Sequence, residues 1–241
     1  MADERVEAIL EELRALGSDV NRAGMARFAI KADDAFGVPL PAIRRLAKRY
    51  KREHELAADL WATGNHEARL LAAFIDDPTK VTRAQMEAWA LDFDSWDICD
   101  QATCDLFYRT ADAWEIAVEW AARPEEWVKR GGFALMAGLS WHDKKAPDEA
   151  FTALFPVIER EAFDERNFVR KAVNWALRNT GKRNRALNEA AVACAERIRD
   201  AANERAGGPR GGGKQVSAAR WIAADALREL TSEKVRARLK S

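Results

Sequence analysis

Apolar positions recur at helical spacing along almost all of the 241 residues. The pattern predicts helices over 2–16, 18–31, 40–52, 54–63, 65–76, 82–91, 95–109, 111–122, 125–139, 147–161, 165–180, 184–204, 215–230 and 232–240. Ser18, Ser95 and Asp164 stand where N-caps belong. Pro41, Pro78, Pro124 and Pro147 fall in gaps or first turns. Two stretches break the pattern: the turn-rich DDAFGVPLP at 33–41 and GGPRGGG at 207–213, within a flexible Gly-rich loop expected over 206–214.

Short connections between such helices make antiparallel hairpins, stacked as a bundle or a solenoid. Five segments align weakly: NHEARLLAAFI, SWDICDQATCDLF, EEWVKRGGFALMA, RNFVRKAVNWALR and QVSAARWIAADAL. One polar column runs through them, holding Arg69, Asp100, Arg130, Lys171 and Arg220, at spacings of 31, 30, 41 and 49 residues. Irregular spacing in this range is that of HEAT-like helical pairs. The expected fold is therefore an all-α HEAT-like repeat superhelix, a single domain over 1–241.

Equivalent positions of a solenoid line one face, so four cations and one acid would share it. A cation ladder on a concave face is a phosphate track. Asp100 is the exception, either an internal salt-bridge partner or a functional acid. Trp96 lies one turn before Asp100, Trp127 three residues before Arg130, and Trp175 four residues after Lys171. These indoles share the column's face and are expected to meet a ligand, whereas Trp89, Trp114 and Trp120 fall on apolar faces and are expected in the core. Indole faces stack on bases or sugars. A lone carboxylate in a dry site stabilises an oxocarbenium-like sugar and orients water. An N-alkylated purine is already cationic and leaves without protonation.

Composition agrees with helix: 48% apolar and 32% charged residues, with only 7 Pro and 2 Tyr, argue against a β-sandwich. Zero net charge hides an asymmetry. Residues 166–241 carry 18 Lys+Arg against 7 Asp+Glu, a balance of +11, and residues 1–165 carry 21 against 32, a balance of −11. A basic third keeps nucleic acid in view as a partner; a solvated, segregated surface explains the same numbers. No run of 18 apolar residues occurs. The acidic, amphipathic start MADERVEAILEELRALG is unlike a signal peptide. Three scattered cysteines suit a reducing cytoplasm.

Other motifs are weaker. His66-Glu67 lacks the second His of a zinc-protease helix and reads as helix surface. Cys99 and Cys104 read as ordinary core cysteines. Gly208 to Lys214 matches part of a P-loop, but Gln215 follows and no strand precedes it. His142 and Asp143 belong to a charged inter-helix loop, WHDKK. Arg45, Lys48, Arg49 and Arg52 share a face at i, i+3, i+4, i+7, giving either a solvated stripe or a flanking phosphate contact.

Several of these stretches carry a family resemblance: FAIK with FGVPLPAIRRLAK, HEARLLAAFIDDP, DFDSWDICDQ, WVKRGGFALMA and NFVRKAVNWALRNTGKRN. The chain resembles the bacterial DNA alkylation repair family, the AlkC/AlkD-type DNA glycosylases, over nearly its whole length. The resemblance implies a HEAT-like superhelix that removes cationic alkylpurines, of the 3-methyladenine and 7-methylguanine type, from double-stranded DNA. It implies a monofunctional hydrolase of the bacterial cytosol, monomeric, without metal, cofactor or membrane attachment. By the same resemblance the catalytic set is Asp100, Trp96 and Trp175, with Arg130, Arg178 and Phe28 at the DNA; the column adds Lys171 and Arg220, the basic stripe Arg45, and Lys182 completes the expected DNA-binding set. Phe28 stands where family members carry Tyr, so no phenolic hydroxyl is available there. Two rival readings share the fold: a DNA-binding scaffold without catalysis, and a protein-interaction adaptor needing neither central acid nor cation column.

Overall fold

The computed structural model describes residues 2–208 and 211–239. Pro209 and Arg210 of the Gly-rich loop, and the last residues of the helix expected over 232–240, lie outside them. The described residues are helical and contain no strand, and they group into two compact units, Met1–Ala113 and Trp114–Ser241.

The first unit comprises α1 (Ala2–Leu16), α2 (Asp19–Met25), α3 (Leu40–Ala47), α4 (His54–Ala62), α5 (His66–Ile75), α6 (Arg83–Leu91) and α7 (Trp96–Gln101). Helix α5 is its centre, packing against α1, α3, α4 and α7 and burying residues on nearly every side. Trp61 and Trp89 stack at 4.0 Å, and Phe107 packs beside them.

Several expected helices end early. The one expected over 18–31 stops at Met25, followed by a 3-10 turn, Ala26–Phe28, and Ala29 in the left-handed region. The one expected over 40–52 stops at Ala47, and Arg52 has φ 57. Its basic stripe is therefore not one helical face. Arg49 pairs with Glu12 and Arg52 with Asp77, which leaves Arg45 exposed on α3. The helix expected over 95–109 changes winding: α7 runs straight into a π-helical turn, Ala102–Leu106, then a 3-10 turn, Phe107–Arg109.

The second unit comprises α8 (Ala113–Ala121), α9 (Glu126–His142), α10 (Asp148–Thr152), α11 (Phe155–Glu161), α12 (Asn167–Thr180), α13 (Arg185–Arg205), α14 (Lys214–Leu230) and α15 (Glu233–Arg236). Helices α9, α12 and α14 pack in series, with α13 against α14 and α12. The helix expected over 147–161 breaks at Ala153–Leu154, where Pro156 opens α11. Helix α9 is buried from Val128 to Ser140. Gly132 permits this: a Cβ there would lie 2.5 Å from the Ala121 nitrogen and 2.8 Å from the Ala117 oxygen.

One of the three expected N-caps differs. Ser18 and Ser95 are the N-cap residues of α2 and α7; Ser18 accepts from the Asn21 N–H, while the Ser95 hydroxyl donates to Asp97. Asp164 lies outside α12, whose N-cap is Arg166, and accepts the Arg166 N–H at 3.0 Å.

Candidate functional site

In the first unit the site starts with the turn that leads into α7. Asp97 accepts the Ser95 hydroxyl at 2.8 Å and the Ile98 N–H at 3.0 Å on one oxygen, and meets His66 Nε2 at 2.9 Å on the other. These bonds fix the first turn and so the direction of Trp96 and, one turn on, of Asp100. Burial pulls the His66 pKa down, but the hydrogen bond and charge of Asp97 outweigh it and leave it above the ordinary imidazole value. Burial raises Asp97, and His66, Ser95 and the Ile98 N–H bring it below the usual carboxylate value. His66 is thus no surface residue, as its motif suggested, but a buried partner of Asp97.

Trp96 is half-buried and donates its indole N–H to the Phe28 carbonyl at 2.9 Å. The Phe28 ring itself is 68% exposed. With Ile30, Val38, Leu70 and Asp97 these two aromatics line a cavity of about 490 Å³. Its wall at 36–38 hangs on Glu67, which accepts the N–H groups of Phe36, Gly37 and Val38 at 2.9, 2.7 and 3.1 Å. Asp100 is buried, and the π turn begins two residues after it. There the Thr103 hydroxyl donates to the Cys99 carbonyl at 2.8 Å and the Asp100 carbonyl at 3.2 Å. Single π turns concentrate at functional sites. Arg69 lies over the Trp61 ring at 5.5 Å and donates to the Asp92 carbonyl, so this member of the column is engaged inside the unit.

In the second unit the column falls on the successive helices α9, α12 and α14, and two of its three cations, Arg130 and Arg220, are engaged by neighbouring acceptors. Arg130 is buried and donates to the Phe168 carbonyl at 2.8 Å, with Trp127 against the Phe168 ring. Arg178 pairs with Asp225 and Glu229, and Lys182 with Glu229 at 2.8 Å. Burial raises the Glu229 pKa, but Lys182 and Arg178 hold it below the usual carboxylate value. Arg220 donates to Asn203 and to the carbonyls of Gly208 and Gly211, pinning both described ends of the Gly-rich loop. Each of these four residues thus has a partner one helix or one loop away. Lys171 and Arg45 are exposed and make no ion pair among the described residues. Trp175 is half-buried on α12.

Of the tryptophans expected in the core, Trp89 and Trp120 are buried, while Trp114 is half-buried and donates to Asp143. His142 ends α9 rather than lying in a loop. Cys99 and Cys194 are buried and Cys104 is half-buried. No described helix is long and apolar enough to cross a membrane, and the described residues hold no cluster of metal-ligating side chains. The residues that sequence reasoning missed are Asp97, His66 and Glu67. Ser-x-Asp before a helix was a legible signal for the first, and nothing local marked the other two.

Stacked helical hairpins in each unit, with no sheet, define an all-α protein of the HEAT-like repeat class. The model of the DNA alkylation repair enzyme family matches residues 9–230, so the chain belongs to that family. An uncharacterised Listeria innocua protein, Lin0241, is 24% identical over 168 residues, spanning 68% of this chain and 73% of that protein. Among solved structures the chain is similar to a protein from a new family related to the HEAT-like repeat DNA glycosylases with affinity for branched DNA structures. That likeness has a TM-score of 0.70 at 22% identity, covering 79% of this chain and 82% of the other, and it supports the fold.

Proposed function

We propose that the protein is a DNA glycosylase that hydrolyses the N-glycosidic bond of positively charged N-alkylated purines, such as 3-methyladenine and 7-methylguanine, in duplex DNA. The observation that carries the reading is the pair Trp96 and Asp100, one turn apart on a helix whose first turn is held by Asp97, His66 and Ser95. In the proposed reaction the C1′–N bond breaks, and its electron pair neutralises the cationic purine as it leaves. The sugar becomes oxocarbenium-like, and the buried Asp100 carboxylate opposes that charge where solvent screens it little. Water adds to C1′ and passes its proton to Asp100. Trp96 stands beside the sugar in the first unit, Trp175 is the aromatic DNA contact of the second unit, and Lys171, Arg45, Phe28 and the exchangeable cations Arg130, Arg178, Lys182 and Arg220 meet the DNA backbone.

Asp100→Asn keeps the shape and removes the charge. On duplex DNA carrying 7-methylguanine, with alkali to reveal abasic sites, it should lower excision by roughly 10²-fold or more. Its affinity for undamaged duplex should hold. Near-normal excision by this variant refutes the assignment. A second reading, DNA binding without excision, is favoured by the structural neighbour described through its affinity for branched DNA. It is recognised by wild-type protein that binds DNA and releases no base.

A further inference from the structure

A second aromatic and cationic site lies wholly within the second unit, at the C-terminal ends of α9 and α12. Trp141, the penultimate residue of α9, is 68% exposed, whereas Trp120 of the same unit is fully buried. An indole so exposed contributes little to a core. It borders a cavity of about 510 Å³, lined also by Ser140, Lys144, Asn179, Lys182 and Arg183. That size is within the range of ordinary ligand pockets, roughly 300–1,000 Å³.

The charge there is positive and partly uncommitted. Arg183 is structural: it donates to the Ser140 carbonyl at 2.6 Å and lies over the Phe151 ring at 3.9 Å. Lys182 gives one bond to Glu229, and an ammonium has three donors. Lys144 is exposed and makes no ion pair among the described residues. The carboxylates nearby are occupied. Asp143 accepts the Trp114 indole N–H and the backbone N–H groups of Lys145 and Ala146, and Asp148 accepts both bonds from Asn184.

We propose that this pocket binds an unpaired nucleotide of single-stranded DNA, its base stacked on Trp141 and its phosphate on Lys144 and Lys182. An exposed indole beside cations is how single strands are held without sequence preference; the His142 ring meets Trp141 at a tilt, 5.8 Å between centroids, rather than stacking flat on it. Bases inside a duplex already have both faces covered, so an unpaired base reaches Trp141 where they cannot. The inference rests on the DNA-binding part of the proposed function and not on excision.

The test is fluorescence anisotropy with two labelled oligonucleotides, a blunt duplex and the same duplex with a single-stranded thymidine tail. Wild type should prefer the tailed DNA. Trp141→Ala should weaken tailed binding roughly tenfold, since one stacked base is worth roughly that by alanine substitution, and leave blunt binding unchanged. Lys144→Ala should lower the salt slope on tailed DNA by about 0.7, one single-strand phosphate contact. Absence of a tail preference in wild type overturns the proposal, as does an equal loss on both DNAs in Trp141→Ala. Excision from the blunt methylated duplex separates the two ideas. A tail preference without excision sinks only the glycosylase, and excision without a tail preference sinks only this pocket.

Discussion

Removing the Glu67 carboxylate is the sharpest test of how the cavity beside Trp96 is held. Glu67 is 1% exposed, yet its side chain makes no bond along its own helix; it receives three N–H groups from residues 36–38. The segment's carbonyls are held separately, Phe36 O by the Ser18 N–H at 3.0 Å and Gly37 O by the Asn21 amide at 3.3 Å, so its N–H groups depend on Glu67. Gly37 has φ 77, and a Cβ there would lie 2.3 Å from the Ser18 oxygen, so the turn can neither shift nor take another residue readily. In Glu67→Ala three N–H donors lose a charged acceptor, two of them buried. Hydrogen bonds to a charged group are worth about 1.5–3 kcal/mol each. Water entering the space left by the side chain recovers part of the sum, so the net cost should be about 3–5 kcal/mol.

Glu67→Gln separates charge from shape. Its amide oxygen can still serve Gly37 and Val38, while its NH₂ faces the Phe36 N–H, donor against donor. The cost should be about 2 kcal/mol. For a chain of this length one kcal/mol moves the melting temperature by about 2–4 °C, giving drops of roughly 6–20 °C for Ala and 4–8 °C for Gln. Thermal melts followed by far-ultraviolet circular dichroism read both. A loss below about 1 kcal/mol for Glu67→Ala, or a Gln variant less stable than the Ala variant, would refute the reasoning.

Trp120→Ala should cost about 3–5 kcal/mol, because the indole is fully buried. Trp96→Ala, half-buried and bonded only through its N–H to the Phe28 carbonyl in the bonds described, should cost about 1 kcal/mol and abolish excision; the reverse order in melts and assays would contradict the assignment. Gly132→Ala should cost roughly 1–3 kcal/mol or more in urea unfolding, since the added methyl meets backbone atoms of α8; a neutral result would show that the α8–α9 contact is looser than described. The pair His66–Asp97 should make stability depend on pH. His66 has a raised pKa, so its contribution is full below the ordinary imidazole value, about 6.5, and is lost as pH rises through the folded value. Asp97 has a lowered pKa, so its contribution is full above about 3.9 and is lost as pH falls through the folded value. The stability gap between wild type and His66→Gln should therefore be widest between those values and narrow above about pH 6.5; a gap that widens at high pH would contradict the pairing.

The helices were legible because burying one face of a helix imposes a 3.6-residue period that survives in the residues themselves. Most centres agreed, but the helix expected over 147–161 broke at its middle and the one expected over 95–109 changed winding at its middle. Residues 102–109 keep apolar positions such as Ala102, Leu106 and Phe107 facing inward while the winding passes from α to π to 3-10. Nothing in the order of residues distinguishes that from a plain helix. At 48–52 the run of cations continued a helical stripe on paper, although the chain had turned at Lys48.

The cation column exposes a different boundary. Helical spacing tells which residues share a face, and that inference put Arg130, Lys171 and Arg220 on the successive packed helices α9, α12 and α14. It cannot tell what the next helix presents to that face. Arg178 meets Asp225 and Glu229, which are 47 and 51 residues away in sequence and belong to α14. The same packing supplies Arg178 and Lys182 with acids from α14, and Arg130 and Arg220 with carbonyl acceptors. In the proposed DNA complex this shifts Arg178 from open attraction to exchange: a phosphate gains its guanidinium by competing with Asp225 and Glu229, whereas Lys182 keeps donors to spare beside its one bond to Glu229. Exchange weakens the net electrostatic gain but makes it conditional on geometry, because a phosphate must come within bonding distance before the carboxylate is released. Under the proposed function, Lys171, exposed and without an ion pair among the described residues, would attract DNA at a distance, and Arg178 would engage only a phosphate close enough to compete with its carboxylates.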